Sequence, residues 1–415
     1  MYQRTYPGSN YSSPVVAYRR PGVVVNPAVS NARVGHGKLM CFVCVGLVVA
    51  SVGVRAVSAG PPLKPAMTEQ VRASIGRALD YLKSTQQPDG AWTMMGHSHP
   101  AITALVVKGF IQDDRYGVDH PVVDRALAFI LRFRHEDGGI YAEGEGLRNY
   151  QTSVALMALA AAGRERDQAA IRDATAFLKK LQWDEGEGYK PDSPWYGGQG
   201  YGRHKRPDLS NTQLMLEAIH QSGLPADDPT YRKALAFVSR CQMLSETNDQ
   251  PFARGSTDGG FVYTSVNGGE SKAGAETVDG RPRLRSYGSM TYAGFKSLLY
   301  AKVDRDDVRV KRAFEWIRSH YTLDSNPNMP GAQSKEGLFY YYHVFARAMK
   351  AWGKDVIVDA RGQAHTWRED LARKLLGLQR KDGSWQNEAD RWYESNPALA
   401  SSYAVLALQT AMSAD

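Results

Sequence analysis

The chain has 415 residues, 43% of them hydrophobic, and is long enough to bury one large core or two of ordinary size. Its formal net charge is +8, but the first 59 residues hold six Arg or Lys and no acidic residue, so the charge of the remainder is only +2. That remainder contains no basic stripe interleaved with aromatic residues, which excludes nucleic acid as an expected partner.

The first 59 residues divide into two segments. Residues 1–38 are rich in Tyr, Pro, Ser, Asn and Arg, lack periodicity and acidic side chains, and are predicted to be disordered. Residues 39–54 form an uncharged apolar run that is short for a membrane span. We interpret residues 39–59 as a signal peptide and expect a periplasmic or secreted protein, anchored to the membrane only if the signal is not cleaved. No other segment is expected to contact a membrane.

The three cysteines do not predict a disulfide-stabilised fold. Cys41 and Cys44 lie within the apolar run, and only Cys241 remains once the signal is removed. An internal disulfide is then impossible, so core packing must hold the fold. Cys241 is expected to be a small buried hydrophobic residue.

Residues 60–415 are predicted to form one domain built from six copies of one pattern. Each copy starts with a short apolar helical run, at residues 78–82, 126–130, 174–178, 234–238, 313–317 and 371–375. In four copies a glutamine follows the last aliphatic residue of the run by four positions; these are Gln86, Gln182, Gln242 and Gln379. The distance between copies leaves room for a second helix in each, so every copy is predicted to be a helical hairpin.

A Gly-rich turn separates the two helices of each hairpin. The clearest turns are the Asp-Gly-x-Trp sequences at residues 89–92 and 382–385, where glycine supplies a positive φ and the aromatic residue caps the core. Second helices are predicted at residues 150–162, 211–221, 287–301 and 341–352, and from Pro397 onward. They carry few charges and must be buried, whereas the first helices carry Arg, Lys and Glu. Six such hairpins closing into a ring give an all-α fold, a monomeric α/α toroid with the second helices inside.

The recurring Gln and the Asp-Gly-x-Trp turn between an outer and an inner helix resemble the prenyltransferase and squalene oxidase repeat. Terpenoid cyclases and protein prenyltransferase β subunits share this repeat, and the resemblance covers roughly residues 67–415. It implies a six-hairpin barrel whose central cavity, in the enzymes of the family, holds a polyisoprenoid chain. It does not fix the activity, because such toroids also include thioester and binding modules.

The acidic motif of the family has a doubtful counterpart in this chain. Class II cyclases protonate an alkene with the acid of a DxDD motif, and residues 304–307 match that motif. They precede an outer helix that is predicted to begin near Val308, where acidic residues cap the helix and offset its dipole. We therefore interpret these residues as a helix cap, as we do Asp228 in the preceding copy.

A metal site is not predicted. His343 resembles the histidine with which protein prenyltransferases bind zinc, but no Asp-x-Cys precedes it. His97 and His99, before the first inner helix, are interpreted as an exposed turn. No cofactor is expected.

Polar and aromatic residues cluster at the predicted starts of the inner helices, which should meet at one mouth of the ring. We predict that ligand contacts come from Tyr150, Gln151, Asn211, Tyr287, Thr291, Tyr341 and Tyr342. Helix capping explains the small polar residues of this region, whereas converging Tyr rings suit a cation, a cationic intermediate or a sugar. If the protein is an enzyme, Asp208 is the candidate acid and His343 the candidate base.

The longest insertion, residues 252–285, stretches the fourth repeat and ends in three arginines. A solvated loop is favoured there over a lid that recognises an anion.

Two functions remain open at this point. One is a terpenoid-cyclase-like or prenyltransferase-like enzyme acting on an isoprenoid or other hydrophobic substrate. The other is a non-catalytic extracytoplasmic binding or scaffold module. Both would hold a hydrophobic or amphipathic small molecule in the central cavity. Export, the displaced acidic motif and the missing zinc ligands favour the second function, and the usual assignment of the family favours the first.

Overall fold

A computed structural model of the protein describes residues 63–202 and 205–414. In these residues the chain forms twelve α-helices: α1 Pro65–Ser84, α2 Pro100–Ile111, α3 Pro121–Leu131, α4 Arg148–Ala162, α5 Gln168–Lys180, α6 Leu209–Gln221, α7 Pro229–Arg240, α8 Gly288–Tyr300, α9 Val308–Ser319, α10 Leu338–Trp352, α11 Trp367–Leu378 and α12 Pro397–Met412. The segments interpreted as disordered (1–38) and as a signal peptide (39–59) lie outside the described residues.

The helices form two concentric layers. Each even-numbered helix packs against the even-numbered helices before and after it, and α12 contacts both α10 and α2, so the inner ring is closed. The inner helix α2 is buried on all sides from Pro100 to Phe110, whereas the outer helix α7 buries mainly one face. The predicted all-α toroid, with the charge-poor second helices inside, is confirmed.

The glycine of each turn lets one hairpin approach the next outer helix. Gly90 has φ +91°, and a Cβ built on it would lie 2.5 Å from the carbonyl oxygen of Arg125 in α3. Four other turn glycines combine a positive φ with a similarly close approach to the backbone of the next outer helix around the ring; they are Gly138, Gly197, Gly259 and Gly383. A side chain at any of these positions would push two neighbouring hairpins apart.

The recurring glutamines join consecutive hairpins. The Gln86 side-chain amide donates to the carbonyl oxygens of Gly90, in its own turn, and Val122, at the start of the next outer helix, both at 2.9 Å. Gln182 and Gln242 repeat this pair of bonds in their own hairpins. The glutamine of the repeat is thus a structural residue that satisfies buried backbone carbonyl groups.

A hydroxyl group near the start of most inner helices fixes the Gly-rich turn. In α8 the Thr291 hydroxyl accepts a hydrogen bond from the Phe261 amide at 3.1 Å and donates to the Tyr287 carbonyl oxygen. The same backbone-to-hydroxyl bond, 2.9 to 3.0 Å long, recurs at Thr103, Thr152, Thr212 and Ser401. The repeated bond explains why a hydroxyl residue occurs at this point of the pattern.

The last hairpin closes the ring against the first. The Gln379 side-chain amide donates to the Ser74 carbonyl oxygen at 2.9 Å, and the Ser74 hydroxyl donates back to the Gln379 side-chain oxygen at 2.8 Å. In the inner layer, the Gln409 side chain donates to the Gly109 carbonyl oxygen at 2.7 Å. Chain ends separated by about three hundred residues in sequence are therefore joined in both layers.

Two smaller predictions about helix ends and cysteine are also confirmed. The Asp307 side chain caps α9 by accepting from the Arg309 amide at 2.9 Å, and the Asp228 side chain caps α7 by accepting from the Thr230 amide at 3.0 Å. The DxDD-like residues 304–307 are therefore a helix cap. Cys241 is buried and free. No helix in the described part of the chain is both long and apolar enough to cross a membrane.

Within residues 63–202 and 205–414, the loops contain three short antiparallel β-hairpins that the sequence did not predict. They are β1 Thr93–Met94 with β2 His97–Ser98, β3 Ala275–Val278 with β4 Arg281–Leu284, and β5 Val356–Val358 with β6 Ala364–Thr366. The second of them lies in the insertion, so residues 252–285 are partly structured.

Candidate functional site

A cavity of about 460 Å³ opens where the inner helices begin, at the end of the ring that we call the mouth. All six inner helices contribute to it at or near their N-termini, as shown by Ile102, Tyr150, Asn211, Ser289, Tyr340 and Leu399. The N-termini of all the inner helices therefore face one shared space, as the sequence predicted.

Tyrosine dominates the lining. Six tyrosines of the cavity wall are largely or partly buried: Tyr150, Tyr201, Tyr263, Tyr287, Tyr340 and Tyr403. Tyr340 and Tyr403 lie edge to face, with ring centroids 5.9 Å apart. Trp392 and Tyr393 continue the aromatic surface at the rim. Such a wall suits an apolar molecule or a positive charge over the ring faces.

Of the residues predicted to bind a ligand, Tyr150, Asn211 and Tyr287 line the cavity. Gln151 lies behind the lining and donates through its side-chain amide to Glu145, which does line it. Thr291 does not line the cavity, because its hydroxyl is engaged in the turn contact described above.

Tyr341 and Tyr342 also lie away from the cavity. Their hydroxyl groups donate to the carbonyl oxygens of Thr322 and Leu323, each at 2.7 Å, and so hold the loop that precedes α10. The reason is register: α10 begins at Leu338, three residues earlier than predicted. Because each residue turns the helix by about 100°, Tyr340 faces the cavity in place of its two neighbours.

Asp208 lies directly beneath the lining and is 2% exposed. It caps α6, and its carboxylate accepts from the Asn211 backbone amide at 2.8 Å and from the Asn211 side-chain amide at 2.8 and 3.1 Å. Burial raises the pKa of Asp208 to about 6, although hydrogen bonds from Asn211 and Tyr263 oppose the shift. Asn211 and Tyr263 also line the cavity, so they connect this carboxyl group to the ligand space.

The predicted base, His343, lies deeper in the ring. Its ring stacks on Tyr403 with centroids 5.6 Å apart, and burial lowers the pKa of His343 to about 3. Four charged groups also act on the pKa of His343: Glu217, Lys296, Arg347 and Lys108. The structure therefore does not bring Asp208 and His343 together as an acid and base at one site.

Below the mouth, four charged side chains from different inner helices form a buried layer, which we call the ionic layer: Lys108, Glu217, Lys296 and Arg347. Each lies eight or nine residues after the first residue of its helix, which corresponds to about 12 Å along the axis. The Glu217 carboxylate accepts from Lys296 and, at 2.7 Å, from Arg347. Burial by itself would raise the pKa of Glu217, but these two cations hold it well below its usual range.

Lys108 completes the ionic layer without a carboxylate of its own. Its ammonium donates to the Gln221 side-chain oxygen at 2.6 Å, and the Gln221 amide donates in turn to Glu217 at 2.9 Å. Burial, followed by the charges of Arg347 and Lys296, lowers the pKa of Lys108 to about 7.

Two further residues of the mouth were not predicted as ligand contacts. The His99 Nε2 atom lies 3.2 Å from the Glu145 carboxylate, and both residues line the cavity. Lys272, from the insertion, also lines it, with its ammonium 4.5 Å from the centre of the Tyr263 ring and paired with Glu270. The insertion is thus part of the cavity wall.

Metal ligation has no geometric basis in the part of the chain that the structure describes, because no three His, Cys, Asp or Glu side chains converge there. His97 and His99 point to different surroundings, since His97 is exposed and His99 contacts Glu145.

Residues 62–206 match the sequence model of the squalene-hopene cyclase C-terminal domain. Among solved structures, a variant of the type II terpene cyclase MstE from Scytonema, in complex with geranylgeranyl dihydroxybenzoate, aligns with a TM-score of 0.53 at 14% identity, over 84% of this chain and 99% of that chain. Ligand-free MstE aligns with a TM-score of 0.50 at 16% identity, over 82% and 98% of the two chains.

A protein described as a novel alpha-amylase from Clostridium perfringens aligns as well, with a TM-score of 0.52 at 12% identity over 82% of this chain and 98% of that chain. At such identities the similarity concerns the fold, and the fold alone does not decide the chemistry. The resemblance inferred from the repeats is confirmed over residues 62–206, and the chain shares an α/α-toroid fold with the type II terpene cyclase structures.

Proposed function

We propose that the chain binds an isoprenoid or similarly elongated apolar molecule in its cavity and acts on it as a terpene cyclase-like enzyme. The cavity volume, about 460 Å³, lies in the range of small-molecule sites, and its wall is built largely of tyrosine. The similarity to MstE, a type II terpene cyclase whose whole chain aligns with this single ring, supports the proposal.

The observation that carries the catalytic part is Asp208. A carboxyl group with a pKa of about 6 retains a protonated fraction near neutral pH, and this one lies beneath an aromatic cavity. In the proposed reaction the acid gives its proton to one carbon of an alkene, and the π electron pair forms the new C–H bond. We assign the route of this proton to Tyr263, a lining residue that also acts to lower the pKa of Asp208.

The resulting carbocation is attacked by a further double bond of the chain, which forms the ring bond, and the tyrosine faces stabilise the positive charge. The reaction ends when a neighbouring C–H bond breaks, its electron pair forms a new double bond, and the released proton restores the Asp208 carboxyl group. One proton enters and one leaves, so the product is an isomer of the substrate.

A non-catalytic binding function is the second candidate, and one observation favours it. Both oxygens of Asp208 already accept hydrogen bonds from Asn211, as expected of a carboxylate that only caps a helix. In that case the same cavity would bind its ligand without turnover. The proposed export through residues 39–59 would place the cavity outside the cytoplasm in either case, and N-terminal sequencing of the native protein tests it.

The deciding experiment compares the wild type with Asp208→Asn and Asp307→Asn. Asparagine also caps helices, so both variants should fold. Organic extracts of each purified protein are analysed by mass spectrometry, and each protein is then incubated with squalene, with prenyl diphosphates and with geranylgeraniol. We expect turnover in the wild type and in Asp307→Asn, and a loss of about a hundredfold or more in Asp208→Asn.

Full activity in Asp208→Asn would refute its role as the acid. A ligand held by the wild type with no turnover would establish the binding function. Loss of activity in Asp307→Asn would indicate that the catalytic acid lies among the DxDD-like residues 304–307.

A further inference from the structure

Two buried polar atoms of lining residues lack a hydrogen-bond partner within the described chain. They are His99 Nδ1 and Asn211 Oδ1. Buried polar atoms in native proteins are almost always satisfied, so a bound molecule or water must complete these two. Their chemical character therefore reports on the polar part of the ligand.

His99 Nδ1 is a hydrogen-bond acceptor. The Nε2 atom of the same ring faces the Glu145 carboxylate at 3.2 Å, and a carboxylate can only accept, so Nε2 carries the proton. Gln151 also donates to the same Glu145 oxygen and holds the carboxylate in place. Burial lowers the pKa of His99 despite the nearby Glu145 charge, so the ring is neutral and Nδ1 keeps its lone pair.

Asn211 Oδ1 is an acceptor as well. The two oxygens of Asp208 accept from the Asn211 side-chain nitrogen at 2.8 and 3.1 Å, which fixes the orientation of the amide. The amide oxygen is consequently the atom left without a partner. Asp208 and Glu145 thus each orient a neighbour so that an acceptor remains for the ligand.

We propose that the cavity selects a ligand with a hydroxyl head, an amphipathic alcohol whose O–H groups donate to His99 Nδ1 and Asn211 Oδ1 and whose apolar body lies against the tyrosines. This inference rests on the proposed function and names its substrate class more closely. A pure hydrocarbon would leave both acceptors unsatisfied. A diphosphate, which offers only acceptors when ionised, would face two further acceptors.

The test uses a matched pair of probes, geranylgeraniol and its methyl ether, which share the C20 chain and differ in the ability to donate a hydrogen bond. Binding is followed by quenching of the intrinsic tyrosine and tryptophan fluorescence. We expect the wild type to bind the alcohol about tenfold more tightly than the ether, because the ether leaves buried acceptors unpaired. His99→Phe should abolish this preference, so that the alcohol and the ether bind with equal affinity.

Two further variants control the result. His97→Phe changes an exposed histidine two residues away and should keep the preference. His99→Gln retains an acceptor and should restore part of it. His99 makes no side-chain cap to α2, so its replacement removes no helix cap.

Equal affinity of the wild type for alcohol and ether would overturn the hydroxyl-head inference while leaving isoprenoid binding intact. Tighter binding of geranylgeranylamine than of the alcohol would overturn it in favour of an ammonium head. Failure of all three probes to bind would refute the proposed isoprenoid ligand itself, and the inference with it.

Discussion

The mouth is built from all six inner helices and the ionic layer from four of them, roughly two helical turns deeper, and the two regions differ in one respect. In the ionic layer, the Glu217 carboxylate is bonded to Lys296, Arg347 and Gln221, and its side chain is only 1% exposed. At the mouth, two residues that line an open cavity, His99 and Asn211, each carry a buried acceptor atom without a partner in the described chain. The contrast indicates that the deeper layer serves the stability of the ring, whereas the mouth keeps groups available for a ligand.

The charges of the ionic layer connect the inner helices below the cavity. Burying several charged side chains is costly unless each is paired, and those pairs need a fixed geometry across α2, α6, α8 and α10. The layer therefore ties four inner helices together below the cavity. Substitutions in the two regions should consequently affect different properties.

Glu217→Gln should have the largest effect on stability. It leaves Lys296 as a buried cation and Arg347 as a partly buried one without a carboxylate, and breaking a buried pair costs about 3–5 kcal/mol. Glu145→Gln is the matched change at the mouth, where the side chain is 38% exposed, and should alter the free energy of unfolding by no more than about 0.5 kcal/mol. Urea unfolding measures both, and equal losses would remove the distinction between the two regions.

Lys108→Met should change how stability depends on pH. The pKa of Lys108 is lowered to about 7 in the folded ring, whereas the unfolded chain keeps its proton up to about 10.5. Between these values the unfolded state binds more protons, so wild-type stability rises with pH, by at most about 1.4 kcal/mol per unit. The groups around Lys108, namely Glu217, Lys296, Arg347 and His343, are the same in both proteins.

Unfolding measured at pH 7, 8 and 9 should therefore show a steeper increase for the wild type than for Lys108→Met. Parallel pH profiles would mean that Lys108 remains charged in the folded ring.

Asp208→Asn tests the pH dependence of stability at the mouth. There the wild type should lose stability as the pH rises, whereas at Lys108 it gains stability. The pKa of Asp208 is raised to about 6 in the folded protein, so its contribution to stability is complete below about pH 3.8 and is lost as the pH rises through 6. Above that pH the carboxylate is a buried charge that asparagine lacks. We expect the variant to be more stable than the wild type by about 1 kcal/mol at pH 7.5 and no more stable at pH 4. A loss of stability at pH 7.5 would show that Asp208 acts mainly as a helix cap.

The fold was predictable because its signals are local. Each hairpin repeats the glutamine, the turn glycine and a charge-poor second helix, and one hairpin such as 371–412 already contains them all. The short β-hairpins were missed because strands of two to four residues, such as Thr93–Met94, leave no periodicity to detect. Their effect on function is considerable, since the first of them turns His97 outward and brings His99 to the cavity.

The site was only partly predictable because it depends on register and on distant partners. Tyr287 was identified from its place before an inner helix, but the start of α10 was misplaced by three residues, which exchanged Tyr340 for Tyr341. The pairing of Glu217 with Lys296, 79 residues apart, has no local signature at all. A charge within an otherwise apolar inner helix marks each of these residues but does not identify its partner.

Substitution of Tyr393 should have the smallest effect on stability and tests whether a residue of the mouth serves ligand binding. It lies at the rim of the cavity, is 44% exposed and has φ +63°, a conformation that is strained for a bulky side chain. Tyr393→Gly should relieve this strain and leave the stability unchanged or raise it by about 0.5 kcal/mol, while it weakens ligand binding several-fold.

Tyr393→Asn separates the relief of backbone strain from the loss of the side chain. Asparagine also tolerates a positive φ, so the strain is relieved, but a small polar side chain remains. Thermal unfolding and probe binding are measured on both variants. A clear loss of stability in Tyr393→Gly would identify Tyr393 as a packing residue. Unchanged stability with weaker binding would identify it as a residue retained at the mouth for the ligand, in contrast to every member of the ionic layer.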